Sequence, residues 1–133
     1  MAMNRETVYK IDIEARSGAL YEVLARTAEE DSNVVFLDTF TTGEGKGTLY
    51  IITDKAEVIE DLARARGSGV EEYVGFLFGG EDRVGLGADV IRPLAEAGVN
   101  IVLSAATVAG GIYSMLIMVE PNDAQAAEEA WRL

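Results

Sequence analysis

Neither cysteine nor histidine occurs anywhere in the 133 residues. Their absence excludes disulfides, thiolate or imidazole metal sites, and nucleophile systems of the Ser-His-Asp or Cys-His kind. Lysine is scarce, with only Lys10, Lys46 and Lys55, and the formal net charge is -12. Nucleic-acid binding draws most of its affinity from clustered Lys and Arg, so no nucleic-acid partner is expected. An acidic, lysine-poor surface is one that halophiles use to stay solvated, and it is also an ordinary solvated surface. Long hydrophobic runs are missing too. The stretches Val99 to Leu103 and Tyr113 to Val119 fall far short of the roughly 18 residues that cross a bilayer. MAMNRETVYK at the N-terminus has no signal-peptide core. The expectation is a cytoplasmic protein with no membrane partner, no metal and no cofactor. An apolar share of 49% is enough for a real core in one domain or two very small ones.

GGEDRVGLGADV, from Gly79 to Val90, follows an apolar run and opens onto a helical pattern, where nucleotide-binding enzymes keep their phosphate loops. A Walker-type loop needs Lys and then Ser or Thr after Gly85; Leu86 and Gly87 stand there. The dinucleotide fingerprint needs a third small residue where Val90 stands. The glycines require another reason.

An internal repeat supplies it. IEARSGALYEV, from Ile13 to Val23, matches GEDRVGLGADV, from Gly80 to Val90, at an offset of 67. Without a gap, the identities run through Glu14/Glu81, Arg16/Arg83, Gly18/Gly85, Val23/Val90, Ala28/Ala95, Glu29/Glu96, Asn33/Asn100, Val35/Val102, Gly43/Gly110 and Leu49/Leu116. Ordinary residue usage would give roughly 3 such matches.

Within one unit, Thr7 to Ile13 alternates as a strand, and Leu20, Val23, Leu24, Thr27 and Ala28 share a helical face. Val34 to Phe40 and Thr48 to Ile52 form a hairpin around TTGEGKG. Asp54-x-x-Glu57 has the form of a capping box for a second helix, as does Asn122-x-x-Gln125 for the last. In the second copy the hairpin turns at Ala109-Gly110-Gly111. The stretch from Val70 to Phe78 serves twice, completing the first unit and beginning the second. The fold class expected is α+β, with tandem ferredoxin-like βαββαβ units over 1–69 and 70–133. Nothing after the last helix provides the second unit's final strand. That leaves an edge open, and strand aromatics such as Phe36, Phe40, Tyr50, Phe76, Phe78 and Tyr113 outnumber what two helices per unit can cover. Both features predict a homodimer or higher homo-oligomer. Trp131 reads as a helix-end core plug, and Met115 and Met118 as packing.

R-x-G-A-L at Arg16 to Leu20, R-V-G-L-G at Arg83 to Gly87, and above all LAEAGVNI at Leu94 to Ile101 resemble tandem ACT domains, the small regulatory modules that bind amino acids. The resemblance covers nearly the whole chain; DSNVV at Asp31 to Val35 matches less well than GVNI. It implies that an amino acid meets the first strand-to-helix loop and the Asn opening the second strand, at an interface between two units. The implied ligand residues are Arg83, Val84, Gly85, Leu86, Gly87 and Asn100, with Arg16, Ser17, Gly18, Ala19 and Asn33 in the first unit. Helix N-termini offer unpaired N–H groups to a carboxylate, and an arginine can clamp one in bidentate fashion.

Each residue also has a purely structural reading. Gly18 and Gly85 permit a tight turn, and Gly87 replaces Leu20 at the loss of a core contact. Asn33 and Asn100 close the helix in a left-handed conformation, while Arg16 and Arg83 pair with Glu14 and Asp82. The function expected is a small-molecule sensor that acts through another protein, such as a regulated enzyme, without catalytic residues of its own. A small cofactor-free enzyme and a structural oligomerisation module are the alternatives.

Overall fold

The computed structural model describes residues 2–132. Its elements are β1 (Ala2–Glu14), α1 (Ala19–Glu29), β2 (Val34–Gly43), β3 (Lys46–Thr53), α2 (Ala56–Ala65), β4 (Glu71–Glu81), α3 (Leu86–Glu96), β5 (Leu103–Ala109), β6 (Ile112–Val119), a 3-10 turn over Pro121–Asp123, and α4 (Ala124–Trp131). They form two compact units, one of Val8–Glu72 and a second of Tyr73–Leu133 joined by Met1–Thr7. The architecture is α+β and antiparallel.

In the first unit the strand order is β2-β3-β1-β4, and in the second it is β1-β4-β6-β5. Both are the ferredoxin-like order, in which the first strand lies between the last and the third. β4 contributes to both units, as its double role in the sequence requires. β1 does the same, which the sequence pattern did not disclose, because Thr7 to Ile13 alternates clearly and the polar residues before it do not. No strand follows α4 among the described residues; the beginning of β1 takes the last-strand place of the second unit.

Each unit has its own core. In the first, Ile11, Ile13, Leu49 and Ile51 of the strands pack on Ala19 and Val23 of α1 and on Val58, Ile59, Leu62 and Ala63 of α2. In the second, Phe76, Phe78, Met115, Ile117 and Val119 pack on Leu86, Val90 and Leu94 of α3 and on Ala124 and Ala127 of α4. Trp131 closes this core, edge-on to Phe76 and Phe78 at 4.9 Å from each ring, with its indole N–H donating to the Val90 carbonyl at 2.8 Å. Leu116 and Met118, on the alternate face of β6, are also fully buried, and Tyr50 and Ile52 of β3 are buried. Tyr50, Phe76 and Phe78 are thus covered within the chain, Phe36 and Tyr113 are half-buried, and Phe40 is exposed. β1 flanks β4, so that edge is occupied, while β2 and β5 end the strand order.

The repeat is exact at the helices. Ala19, Val23 and Thr27 are buried along α1, and Leu86, Val90 and Leu94 hold the same places along α3, 67 residues on. It shifts at the hairpins. Ile13 stands opposite Gly47, and Gly80, 67 residues after Ile13, stands opposite Tyr113, which is 66 after Gly47. A register shift between Thr41 and Gly43 in β2 absorbs the extra residue as a bulge. The identities Gly43/Gly110 and Leu49/Leu116 are thus not structural equivalents; Leu49 corresponds to Met115.

Helix ends also differ from the sequence reading. Neither capping box forms: α2 is preceded by Lys55 and α4 by Asp123, both without a side-chain cap. Asp54 instead accepts from the Ser32 hydroxyl and the Asn33 N–H, each at 3.1 Å. The left-handed residues closing α1 and α3 are Asp31 (φ 53°) and Gly98 (φ 71°), two positions before Asn33 and Asn100. Behind them the N–H groups of Ser32 and Val99 reach back to the carbonyls of Thr27 and Leu94, completing the same C-terminal motif twice.

At the helix starts, Gly18 (φ 88°) and Gly85 (φ 85°) are both left-handed. Alanine at Gly85 fits sterically, since nothing lies within 4 Å of its Cβ, but must adopt the strained angle. Gly85→Ala is expected to lose about 1 to 2 kcal/mol in urea denaturation, while Gly69→Ala, where φ is ordinary and space is open, changes stability by less than about 0.5 kcal/mol. Asp31→Gly should gain stability, and equal effects of the two glycine substitutions would rule out a cost from the backbone angle.

Candidate functional site

The strand-to-helix turn of the first unit borders an open cleft of about 360 Å³. One side is the turn itself, Glu14 to Ser17, followed by Leu20 of α1; the other is Thr39, Phe40 and Thr41 of β2; Ile13 and Gly47 lie between them. Gly47 is there because a Cβ would come to 3.0 Å from the Phe40 carbonyl and 3.3 Å from Ile13 Cγ2. The Phe40 ring is held by stacking on Tyr50, 5.9 Å between centroids.

The cleft is charged, and its charges are internally paired. Arg16 Nη2 lies 2.7 Å from Glu22 Oε2 and 3.4 Å from Glu14 Oε1, while Arg66 Nε holds the other Glu14 oxygen at 2.8 Å. The second unit repeats the main pair: Arg83 Nη2 meets Asp89 Oδ2 at 2.7 Å, and Arg83 and Asp89 are the 67-residue counterparts of Arg16 and Glu22. Each loop arginine thus folds onto an acid in the first turn of its own helix, and Arg83 does so instead of pairing with Asp82. The hydrogen bonds from Arg16 and Arg83 hold Glu22 and Asp89 below the usual carboxylate range, and Glu22 in turn raises Arg16. Burial, and then Glu72, Glu60 and Glu57, push the Tyr9 phenol up.

The N–H groups of Ala19 and Leu86 donate to the Arg16 and Arg83 carbonyls at 3.3 Å, and no side chain caps the first-turn N–H groups that follow them in α1 and α3. Gly18 and Gly85 give the turns their direction, Ala19 and Leu86 are buried beneath them, and Ser17 and Val84 are exposed at the tips. Gly87 lies under the Tyr113 hydroxyl, which a Cβ at that position would approach to 2.8 Å. Asn33 is not beside Arg16. It sits at the far end of α1, whose 11 residues span about 16 Å, in a separate recess with Leu24, Thr27 and Ser32. Asn100 is likewise exposed beyond the far end of α3. Within one unit, turn and asparagine do not converge.

Of the residues expected from the sequence, Arg16 and Ser17 border this cleft; Ile13, Glu14, Ala15, Leu20, Thr39, Phe40, Thr41 and Gly47 border it as well and were not expected. The signal for Gly47 was hidden by the one-residue bulge, which put Lys46 opposite Tyr113 in the ungapped repeat. Also missed was the cluster joining the end of α1 to the end of β3, where the buried Ser32 and Thr53 hydroxyls lie side by side and Thr53 donates to the Asn33 carbonyl at 2.8 Å.

Two βαββαβ units with a turn of this kind define an ACT-like, ferredoxin-like fold. Among solved structures, the chain is similar to a protein from Bacteroides thetaiotaomicron, with a TM-score of 0.78 at 21% identity over 98% of this chain and 88% of that one. It is similar to the regulatory subunit of aspartate kinase from Thermus thermophilus, in its ligand-free form, with a TM-score of 0.67 at 18% identity over 97% and 92%. The corresponding regulatory subunit from Thermus flavus gives 0.63 at 17% over the same shares. No family model and no curated protein sequence matches. Among the described residues, no helix is long and apolar enough to cross a membrane, and no group of three or more acidic side chains is placed to hold a metal.

Because their folded pKa values are lowered, Glu22 and Asp89 contribute to stability above the ordinary carboxylate range, and the contribution is lost as pH falls through the lowered values. Carboxyl-detected NMR titration should place both midpoints below those of unpaired acids, and Arg16→Gln should move the Glu22 midpoint back up while leaving Asp89 in place. An unmoved Glu22 would mean that the pair does not form in solution.

Proposed function

We propose that this chain is a regulatory protein that binds a small metabolite, an α-amino acid, at the strand-to-helix turn and acts through another protein. The observation that carries the reading is the first-unit cleft, which sets one guanidinium, one carboxylate, the hydroxyls of Ser17, Thr39 and Thr41, and the apolar surfaces of Ile13, Leu20 and Phe40 around one space. A zwitterion needs each of these. Its carboxylate is matched by Arg16 and the uncapped N–H groups of α1, and its ammonium group by Glu14. Its side chain is matched by the apolar wall. A cleft of about 360 Å³ lies at the small end of known ligand sites. The likeness of the fold to regulatory subunits of an amino-acid-related kinase supports the same reading.

The output runs through a partner, which is a client enzyme or a second copy of this chain.

Thermal-shift measurements against each of the twenty L-amino acids test the proposal. At 100 times its dissociation constant the cognate amino acid should stabilise the chain by about 2.7 kcal/mol. Arg16→Gln should then weaken calorimetric binding by about 1.5 to 3 kcal/mol, the usual contribution of a hydrogen bond to a charged group. If no amino acid shifts the melting temperature, the sensor reading fails.

A further inference from the structure

The two units share one backbone plan, yet three equivalent positions are filled in opposite ways. In the first unit, Ile13 and Leu20 are large and Gly47 has no side chain; in the second, Gly80 and Gly87 have none and Tyr113 is large. The exchange is reciprocal. Where Gly47 leaves open space beside Leu20, the Tyr113 ring extends across to α3, and its hydroxyl reaches a point 2.8 Å from where a Cβ on Gly87 would stand. The ring is held there: it packs against the second core, and its hydroxyl lies 3.5 Å from Met115 Sδ. A glycine at 87, unexplained by any phosphate loop, is what lets the tyrosine lie down.

The polar wall is lost as well. Thr39 and Thr41, which offer hydroxyls to the first cleft, correspond to Ala106 and Val108, and Ser17 at the loop tip corresponds to Val84, which is fully exposed. The second turn keeps the left-handed glycine and the arginine–acid pair, but the Tyr113 ring stands where Gly47 leaves room, and the hydroxyls of Ser17, Thr39 and Thr41 are replaced by Val84, Ala106 and Val108.

Resting on the sensor reading above, we infer that the units are functionally unequal: Tyr113 occupies the second unit's counterpart of the cleft, leaving one amino-acid site per chain, in the first unit. Duplication of the turn therefore does not duplicate the site. The second unit carries a permanently filled copy, with a phenol in the place of a ligand.

Two measurements on the full chain test this. Without any ligand, NMR should show cross-relaxation between the Tyr113 ring protons and the Gly87 α-protons, and its absence would overturn the plug. Calorimetry with whichever of the twenty L-amino acids raises the melting temperature should give one site per chain. Tryptophan placed at the matched exposed positions separates the units: Thr41→Trp should weaken binding at least about tenfold, and Val108→Trp should leave it within about twofold. Two sites per chain, or a loss confined to Val108→Trp, would overturn the inference while leaving the sensor reading intact. No heat from any amino acid in the wild-type chain would overturn both.

Discussion

The backbone angle at two glycines governs most of what surrounds them. To leave a strand and enter a helix within four residues, the chain turns through a left-handed conformation at Gly18 and again at Gly85, which an L side chain adopts only at a cost of about 1 to 2 kcal/mol. That turn aims each helix so that its first, fifth and ninth residues face the core. It also leaves the first-turn N–H groups uncapped and brings the arginine two residues earlier within reach of an acid four residues later. Core packing and the polar character of the turn therefore come from one constraint, and both recur 67 residues on.

On this shared plan the side chains have diverged where the backbone did not require them to stay. Ser32 and Thr53 join the end of α1 to the end of β3 through buried hydroxyls, and Asp54 accepts from one of them. In the second unit the same places hold Val99, Val119 and Glu120, so a satisfied polar contact has become an apolar one. Either pairing is stable because each is complete; a mixture would bury an unpaired hydroxyl. The same logic applies to the cleft, where three coordinated exchanges keep the packing filled and a single one would leave a void or a collision.

The repeat and the element order were legible because they depend on period: apolar spacing of the helices, alternation in the strands, and glycines at the turns. The first half of β1 was not, since Asn4, Arg5 and Glu6 carry no alternation and the strand exists through its neighbour β4. Helix ends misled for a local reason: Asp54 has the form of a cap, but it is drawn to Ser32 and Asn33, which lie more than 20 residues away in sequence. The place of Gly47 in the cleft was hidden by the bulge after Thr41. An ungapped repeat cannot register one extra residue, and without it Gly47 and Tyr113 are not seen as partners.

The internal pairing of the cleft's charges constrains what can enter it. Arg16 is already engaged by Glu22 and Glu14, and Glu14 by Arg66 as well. A ligand bearing only a carboxylate would draw Arg16 from its acids and leave them facing an added negative charge, on a chain whose net charge is already -12. A purely cationic ligand would compete with Arg66 and Arg16 for Glu14. An α-amino acid adds no net charge: its carboxylate draws Arg16 from Glu22, and its ammonium group takes the place beside Glu14 that Arg16 held at 3.4 Å, so the contact given up is the exposed one to Glu22. The displaced contacts are exposed ion pairs, which are individually weak, so exchange is easy in a way that breaking a buried pair is not. On the proposed reading, preference for a zwitterion rests on this balance of charges, and discrimination among amino acids falls to the apolar wall of Ile13, Leu20 and Phe40.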